Sequence, residues 1–312
     1  MTLKTRKLGN TGLELSELTM GTWGLCAESY GRVFQEQQVA TLTRAVDQGI
    51  TTFDMSPTWG DDGVSETSVA AAVGDRRDRM IYITRVGHVV AEDGVVEAFA
   101  AKNLRQQCEA SLKRLATDRI DVLLLQHPSI DRHLRDDGVH HMLQQLKSEG
   151  KVRAYGASVS NVDDARAALV TGAEVLCLPF NMLQPELVWD VASECREKGV
   201  GILARSVLLH GLLSGRWGEK KRFTPDDHRM HRWSPEALAA RVRQAVDYKN
   251  RISTDVPSMA TLAIHFALAH DDVTSALVGP RTPAQVVAAT ESLASQVTLS
   301  PVDLQFLFTA SR

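Results

Sequence analysis

Residues 37–60 read QQVATLTRAVDQGITTFDMSPTWG. In QQVATLTRAVDQG (37–49), apolar residues recur at intervals of three and four, which predicts an amphipathic helix. TTFDMS (51–56) is a short β-rich run that ends in an acidic residue and a turn with Pro57 and Gly60. A helix that leads through a short connection into an apolar strand is the repeating unit of a parallel sheet.

The same unit recurs along the chain. Helical patterns also occur at 102–117, 140–150 and 186–199, where Gly199 predicts a helix end. The predicted strands number eight: 18–24, 51–56, 80–87, 120–128, 152–159, 175–181, 201–209 and 274–280. Eight units with mostly apolar strands predict a closed (β/α)8 TIM barrel. The first strand is not followed by Gly-x-Gly-x-x-Gly, which disfavours an open dinucleotide-binding sheet.

Two further segments flank this pattern. KLGNTGLEL (7–15) holds a turn between alternating runs and predicts an N-terminal β-hairpin. The long polar stretch 210–234 follows the seventh strand and should overhang the C-terminal face of the barrel. His228 and His231 in this loop are interpreted as solvated, and the tryptophans at 23, 189, 217 and 233 as packing or pocket-wall groups. We expect one domain over residues 1–312.

Composition excludes several classes of protein. The chain of 312 residues is 44% hydrophobic and 23% charged, with a net charge of −3 and no long block of one sign. Neither nucleic acid nor a membrane is therefore an expected partner. The four cysteines form no CxxC pair, no secretory leader is visible, and no apolar run could span a membrane. We expect a cytoplasmic protein with reduced thiols and no cleaved segment.

Four polar residues fall at the predicted C-terminal ends of successive strands: Asp54, Arg85, His127 and Ser158. In a barrel these ends converge on one mouth, so the four indicate a catalytic site. The alternative is structural, because an Asp–Arg pair is often only an ion pair and a His before Pro is often only a packed residue. No metal site is predicted, because His140 and His141 lack acidic or Cys partners nearby.

The order of six segments resembles the aldo-keto reductase superfamily over essentially the whole chain. The segments are RKLGNTGLELSELTMGTWG (6–24), FDMSPTWG (53–60), LLLQHPS (123–129), YGASVSN (155–161), SVLLHGLLSG (206–215) and VGPRTPAQV (278–286). The resemblance implies a barrel with an N-terminal hairpin, NADP(H) bound over its mouth, and hydride transfer to an aldehyde or ketone.

The resemblance also shows two departures at the expected catalytic residues. Asp54 and His127 match the family pattern. The Tyr that protonates the developing alkoxide is replaced by Trp59, whose indole N–H cannot release its proton near neutral pH. The Lys that tunes this Tyr is replaced by Arg85, which keeps the charge and can pair with Asp54.

The cofactor positions implied by the resemblance are better kept on the phosphate side than on the base side. Ser158 matches a nicotinamide contact, but Val159 and Cys177 replace amide side chains, and Ala288 and Ala289 replace the partners of adenine. The matching positions are Ser158, Ser206, Leu208, Gly211, Leu213, Gly215, Gly279, Arg281 and Gln285.

Three functions remain open from sequence. The first is an atypical NADP(H)-linked oxidoreductase that acts on a carbonyl or alcohol of a small molecule. The second is a non-redox lyase, isomerase or dehydratase, with His127 as acid or base and Arg85 as a carboxylate or enolate clamp. The third is a non-catalytic protein that binds a cofactor or metabolite. The oligomeric state is not predicted.

Overall fold

The computed structural model describes residues 3–25, 30–130, 134–295 and 297–310, so Cys26 lies outside the described residues. Eight parallel strands form a closed barrel in which each strand pairs with the next and the last returns to the first. The strands are β3 (Leu18–Gly21), β4 (Thr52–Asp54), β5 (Ile81–Val86), β8 (Ile120–Gln126), β9 (Val152–Ser158), β10 (Val175–Pro179), β11 (Gly201–Arg205) and β12 (Val273–Val278). All eight predicted strands are confirmed.

Helices surround this barrel and cover the outer faces of its strands. Their bounds are α1 (Gln35–Asp47), α2 (Val64–Val73), α3 (Ala101–Arg114), α4 (Asp137–Ser148), α5 (Val162–Val170), α6 (Glu186–Lys198), α7 (Pro235–Arg251), α8 (Met259–Leu268), α9 (Pro283–Ala294) and α10 (Pro301–Thr309). Because helices and barrel interior bury both faces of a strand, strands such as β8 are apolar and buried over nearly their whole length. As predicted, α6 ends at Gly199, which has a φ of 67°.

The N-terminal hairpin closes the lower end of the barrel. Its strands are β1 (Thr5–Lys7) and β2 (Glu14–Ser16), which confirms the predicted hairpin. Leu8, Leu13 and Leu15 are fully buried against the side chains that fill the barrel interior, such as Val122 and Val175. This leucine floor leaves the opposite, C-terminal end of the barrel for a site.

A second hairpin, β6 (His88–Ala91) with β7 (Gly94–Glu97), was missed by the sequence analysis. It projects from the end of β5, and Val90, Val95 and Val96 on it are exposed. The sequence signal was present, because Asp93-Gly94 between two valine pairs is a hairpin turn.

The long segment after β11 is folded over the barrel mouth. It contains two 3-10 turns, Leu209–Ser214 and His228–His231, and it precedes α7. An isolated β-bridge joins Tyr30 to Asp227. This bridge ties the long segment to the loop after β3, which agrees with the predicted position over the C-terminal face.

Candidate active site at the barrel mouth

One cavity of about 790 Å³ lies at the C-terminal end of the barrel. Eleven of the thirteen site residues predicted from sequence line it: Asp54, Trp59, Arg85, His127, Ser158, Ser206, Leu208, Gly211, Gly279, Arg281 and Gln285. Leu213 is buried in the core instead, and Gly215 faces the side chain of Met259 rather than the cavity. These two predicted positions therefore belong to packing around the turn.

Asp54 and Arg85 form a buried ion pair at the bottom of the cavity. The last residue of β4 and the fifth of β5 lie on adjacent strands, and Arg85 Nη1 donates to Asp54 Oδ1 at 2.5 Å and to Met55 O at 2.9 Å. Both side chains are 3% exposed. Arg85 Nη2 contacts Cys177 Sγ at 3.9 Å. Both terminal nitrogens of Arg85 therefore point to partners within the protein.

The electrostatics of this pair follow from burial. Desolvation acts to lower the pKa of Arg85, but Asp54 and the Cys177 sulfur outweigh it, so the pKa is raised and the guanidinium stays charged. Desolvation raises the pKa of the Asp54 carboxyl, and Arg85 counteracts this effect. Trp59 lies against the pair, with the Arg85 guanidinium carbon 4.4 Å from the centre of the indole ring.

His127 is presented to the cavity by a strained turn at the end of β8. Its φ of 47° is unusual for a residue with a side chain, and the conformation is held by its N–H, which donates to Ser158 O at 3.0 Å. Desolvation within the mouth, together with the charges of Arg205 and Arg85, lowers the pKa of His127 to about 4. The imidazole is therefore neutral at neutral pH.

Gln126 and Arg205 are among the cavity residues that the sequence analysis did not single out. Gln126 is the last residue of β8 and Arg205 the last of β11, and both line the cavity. Gln126 Oε1 and Arg205 Nε are buried and accept or donate no hydrogen bond within the described part of the chain. The rule that selected Asp54, a polar residue at the C-terminal end of a strand, applies to both and could have found them.

The side of the cavity that the family resemblance assigns to the cofactor phosphates has two backbone features. Ser206, Leu209 and His210 all have positive φ, and a run of such residues makes a concave turn of the kind that binds anions. On the facing side, α9 begins after the N-cap Thr282 with its first turn beside Arg281 and Gln285. Arg281 is anchored by hydrogen bonds to Gly24 O and Gly31 O, each 2.8 Å long.

An aromatic cluster closes one side of the mouth, and it corrects the interpretation of His228. Rather than being solvated, the His228 ring packs at 4.8 Å from the rings of Trp23 and Tyr30, and at 5.3 Å from that of His210. His231 is exposed as expected. Trp23 and Trp217 line the cavity, Trp189 packs on Phe308, and Trp233 packs on Trp217 and His210.

The comparisons with known proteins agree with this architecture. The family model described as "Aldo/keto reductase family" matches residues 17–304. The chain belongs to the aldo/keto reductase family. Proteins of this family are oxidoreductases that typically bind NAD(P)(H).

Individual relatives match over nearly the whole chain. The aldo-keto reductase YhdN of Bacillus subtilis is 28% identical over 91% of this chain and 87% of its own. L-galactose dehydrogenase of Arabidopsis thaliana is 28% identical over 96% and 93%. Among solved structures, the holo form of aldo-keto reductase AKR11C1 from Bacillus halodurans has the same fold, with a TM-score of 0.83 and 23% identity over 99% of this chain and 97% of its own.

In the described residues, no helix is both long enough and apolar enough to cross a membrane.

Proposed function

We propose that this protein is an NADP(H)-linked oxidoreductase that interconverts a carbonyl group and an alcohol on a small molecule, without the Tyr and Lys of its family. The observation that carries the proposal is the single cavity that joins His127 and the Asp54–Arg85 pair to Arg281 and Gln285. Its volume is within the range of sites for cofactors and small ligands.

The residues present fit a nicotinamide dinucleotide. On the phosphate side, the Ser206–Gly211 turn, Arg281 and the start of α9 supply backbone and guanidinium donors. At the ring end, Ser158 lines the cavity on the strand next to Gln126, whose buried Oε1 could accept a hydrogen bond from a carboxamide. Ala288 and Ala289 also line the cavity but offer no side-chain hydrogen bond to adenine.

When bound, the cofactor would donate or accept the hydride. In the protein, neutral His127 can donate a hydrogen bond to a carbonyl oxygen, or accept the proton of an alcohol that is being oxidised. Trp59 lines the cavity. Its indole N–H does not titrate near neutral pH, so we assign it no proton transfer. The Arg85 guanidinium, which is paired with Asp54, lies against the Trp59 ring.

The non-redox alternative depends on Arg85 as a clamp for a carboxylate or enolate. Asp54, Met55 O and Cys177 occupy the terminal nitrogens of Arg85, and the side chain is only 3% exposed. Since Arg85 has little surface with which to contact a ligand, we do not propose this function.

Calorimetric titration with NADPH and NADH, followed by assays of NADPH oxidation and NADP+ reduction, tests the proposal. The assay panel consists of small aldehydes, ketones and the matching alcohols. We expect binding of the dinucleotide and slow turnover, because the missing general acid is typically worth about 10²–10⁴-fold in rate. Absence of dinucleotide binding would contradict the proposal, and binding without turnover would favour the non-catalytic alternative.

A further inference from the structure

The cavity carries an excess of positive charge. Six arginines line it: Arg85, Arg205, Arg216, Arg229, Arg232 and Arg281. Arg85 pairs with Asp54, and Arg229 pairs with Asp227. Over the described ranges, the other four make no ion pair with a carboxylate. An anionic ligand is therefore favoured over a neutral one of the same shape.

Arg205 differs from the other three because its guanidinium is held in the barrel mouth. Nη2 donates to Ser160 Oγ at 2.6 Å and to Val159 O at 3.2 Å, which fixes the side chain across the end of β10. Nη1 makes only a 3.4 Å contact with Ser206 Oγ. Nε is buried and has no acceptor among the residues that the structure describes.

The position of Arg205 places it at the reacting end of the cavity rather than at the phosphate side. Its anchors, Val159 O and Ser160 Oγ, directly follow Ser158, whose carbonyl accepts the N–H of His127. The charge of Arg205 also acts on His127 strongly enough to lower the pKa of its imidazole. Arg281, by contrast, lies beside the start of α9.

We propose that Arg205 binds a carboxylate of the substrate beside His127, so that this protein acts on oxo acids and hydroxy acids rather than on neutral aldehydes and sugars. This inference rests on the proposed function, since it names the substrate class of the same site. A guanidinium with free donors is suited to a carboxylate, and a buried cation without a partner is costly unless a ligand neutralises it.

The test compares acids with their neutral amides in the wild type and in three variants. The substrate pairs are 4-carboxybenzaldehyde with 4-formylbenzamide, and succinic semialdehyde with 4-oxobutanamide. The variants are Arg205→Met, Arg205→Lys and the control Arg216→Met, which removes one positive charge from an exposed position on the cavity rim. Thermal unfolding of each variant checks that it folds.

We expect the wild type to prefer the acid in at least one pair. Arg205→Met should lower kcat/KM for that acid by about 100-fold. The same variant should lower kcat/KM for the amide by much less, so that the ratio of acid to amide falls. Arg205→Lys should fall between wild type and Arg205→Met, and Arg216→Met should leave the preference for the acid in place. Equal rates for acids and amides in the wild type would overturn the proposal.

A phosphate group of the cofactor is the other anion that could bind Arg205. Calorimetric titration with NADPH separates the two, because our proposal requires similar NADPH affinity in the wild type and in Arg205→Met. Loss of NADPH affinity, with the preference for the acid kept, would show that Arg205 binds the cofactor and would refute the proposal.

If no aldehyde is turned over, the same acids and amides are titrated directly against the protein. Binding of an acid that is lost in Arg205→Met would support the carboxylate site while the proposed oxidoreductase function fails. Absence of binding, or equal binding of acid and amide, would reject the carboxylate site as well.

Discussion

Trp59 and Arg85 occupy the positions where the family resemblance implies Tyr and Lys. The Arg85 guanidinium carbon lies 4.4 Å from the centre of the Trp59 ring and its Nη1 is bound to Asp54. A charged group that is both stacked and paired is stable in this place, but neither residue can exchange a proton near neutral pH. The site therefore keeps a positive charge next to Asp54. It lacks, at these two positions, a group that could transfer a proton.

We predict that Trp59→Tyr combined with Arg85→Lys raises the rate of carbonyl reduction by about 10²–10⁴-fold, the usual worth of a general acid. A phenol next to an ammonium group has a lowered pKa, and Asp54 is placed to hold the new Lys. The measurement is NADPH oxidation with the substrate panel. The matched control, Trp59→Phe with Arg85→Lys, lacks only the hydroxyl, so equal rates in the two double variants would refute the prediction.

A second prediction concerns the pH dependence of His127. Its pKa is lowered to about 4, first by desolvation and then by the charges of Arg205 and Arg85. If neutral His127 is the proton acceptor in alcohol oxidation, the rate falls as the pH falls through about 4. Arg205→Met removes one of the lowering charges, so the acid limb should move upward towards the ordinary value of about 6.5.

The pH profile of kcat for NADP+ reduction checks this, with Arg216→Met as the control for loss of a rim charge. In Arg205→Met the pKa of His127 should return only part of the way to its ordinary value, because desolvation lowers it more than Arg205 does. An acid limb that stays in place in Arg205→Met would show that Arg205 does not act on the group that titrates.

Eleven of the thirteen site residues predicted from sequence line the cavity, and the failures have physical reasons. Asp54, Arg85 and His127 were found because the end of a barrel strand fixes where a side chain lies. Leu213 and Gly215 were predicted only from the family resemblance. In the structure Leu213 is buried in the core and Gly215 packs against Met259. The position of Arg205 at a strand end was visible in the sequence, but its lack of a carboxylate partner depends on contacts distant in sequence and was visible only in the structure.

Among the elements, the strands were predictable because a parallel barrel buries both faces and leaves long apolar runs. The hairpin of β6 and β7 is exposed and short, so it has no such run. The burial of His228 was not predictable, because it depends on Tyr30 and Trp23 from the loop after β3, which are about two hundred residues away along the chain.

The burial of His210 and His228 in the aromatic cluster at the mouth predicts that the protein loses stability on acidification. Desolvation lowers the pKa of His210 to about 3 and that of His228 to about 4, and neighbouring arginines such as Arg232 contribute. In the unfolded chain both return to about 6.5. Between about pH 6.5 and about pH 4 the unfolded state therefore binds more protons, and the free energy of unfolding falls as the pH falls.

Urea unfolding at about pH 7, about pH 5.5 and about pH 4.5 measures this dependence. The double variant His210→Gln with His228→Gln should reduce the slope of unfolding free energy against pH, while His231→Gln, which changes an exposed histidine, should not. An unchanged slope in the double variant would mean that other groups cause the acid sensitivity.

At the scale of the whole molecule, closure of the barrel depends on close contact between β9 and β10. A Cβ added to Gly156 would lie 1.8 Å from Val175 O, a backbone atom of the neighbouring strand that cannot move without opening the sheet. We predict that Gly156→Ala lowers the free energy of unfolding by about 3 kcal/mol. Chemical denaturation measures this, with Gly218→Ala as the control because its Cβ would meet nothing within 4 Å. Equal stability of the two variants would show that the barrel can relax at this point.

The leucine floor made by Leu8, Leu13 and Leu15 has a kinetic consequence. Because the lower end of the barrel is packed, molecules reach the cavity from the side of the mouth, where the Tyr30–Asp227 bridge already crosses. If the cofactor and the substrate share a cavity with one entrance, they bind and dissociate in a fixed order. The ligand that lies deeper binds first and dissociates last. Product inhibition should therefore be competitive with respect to one ligand and noncompetitive with respect to the other. Steady-state kinetics would then show which ligand binds deeper in the barrel.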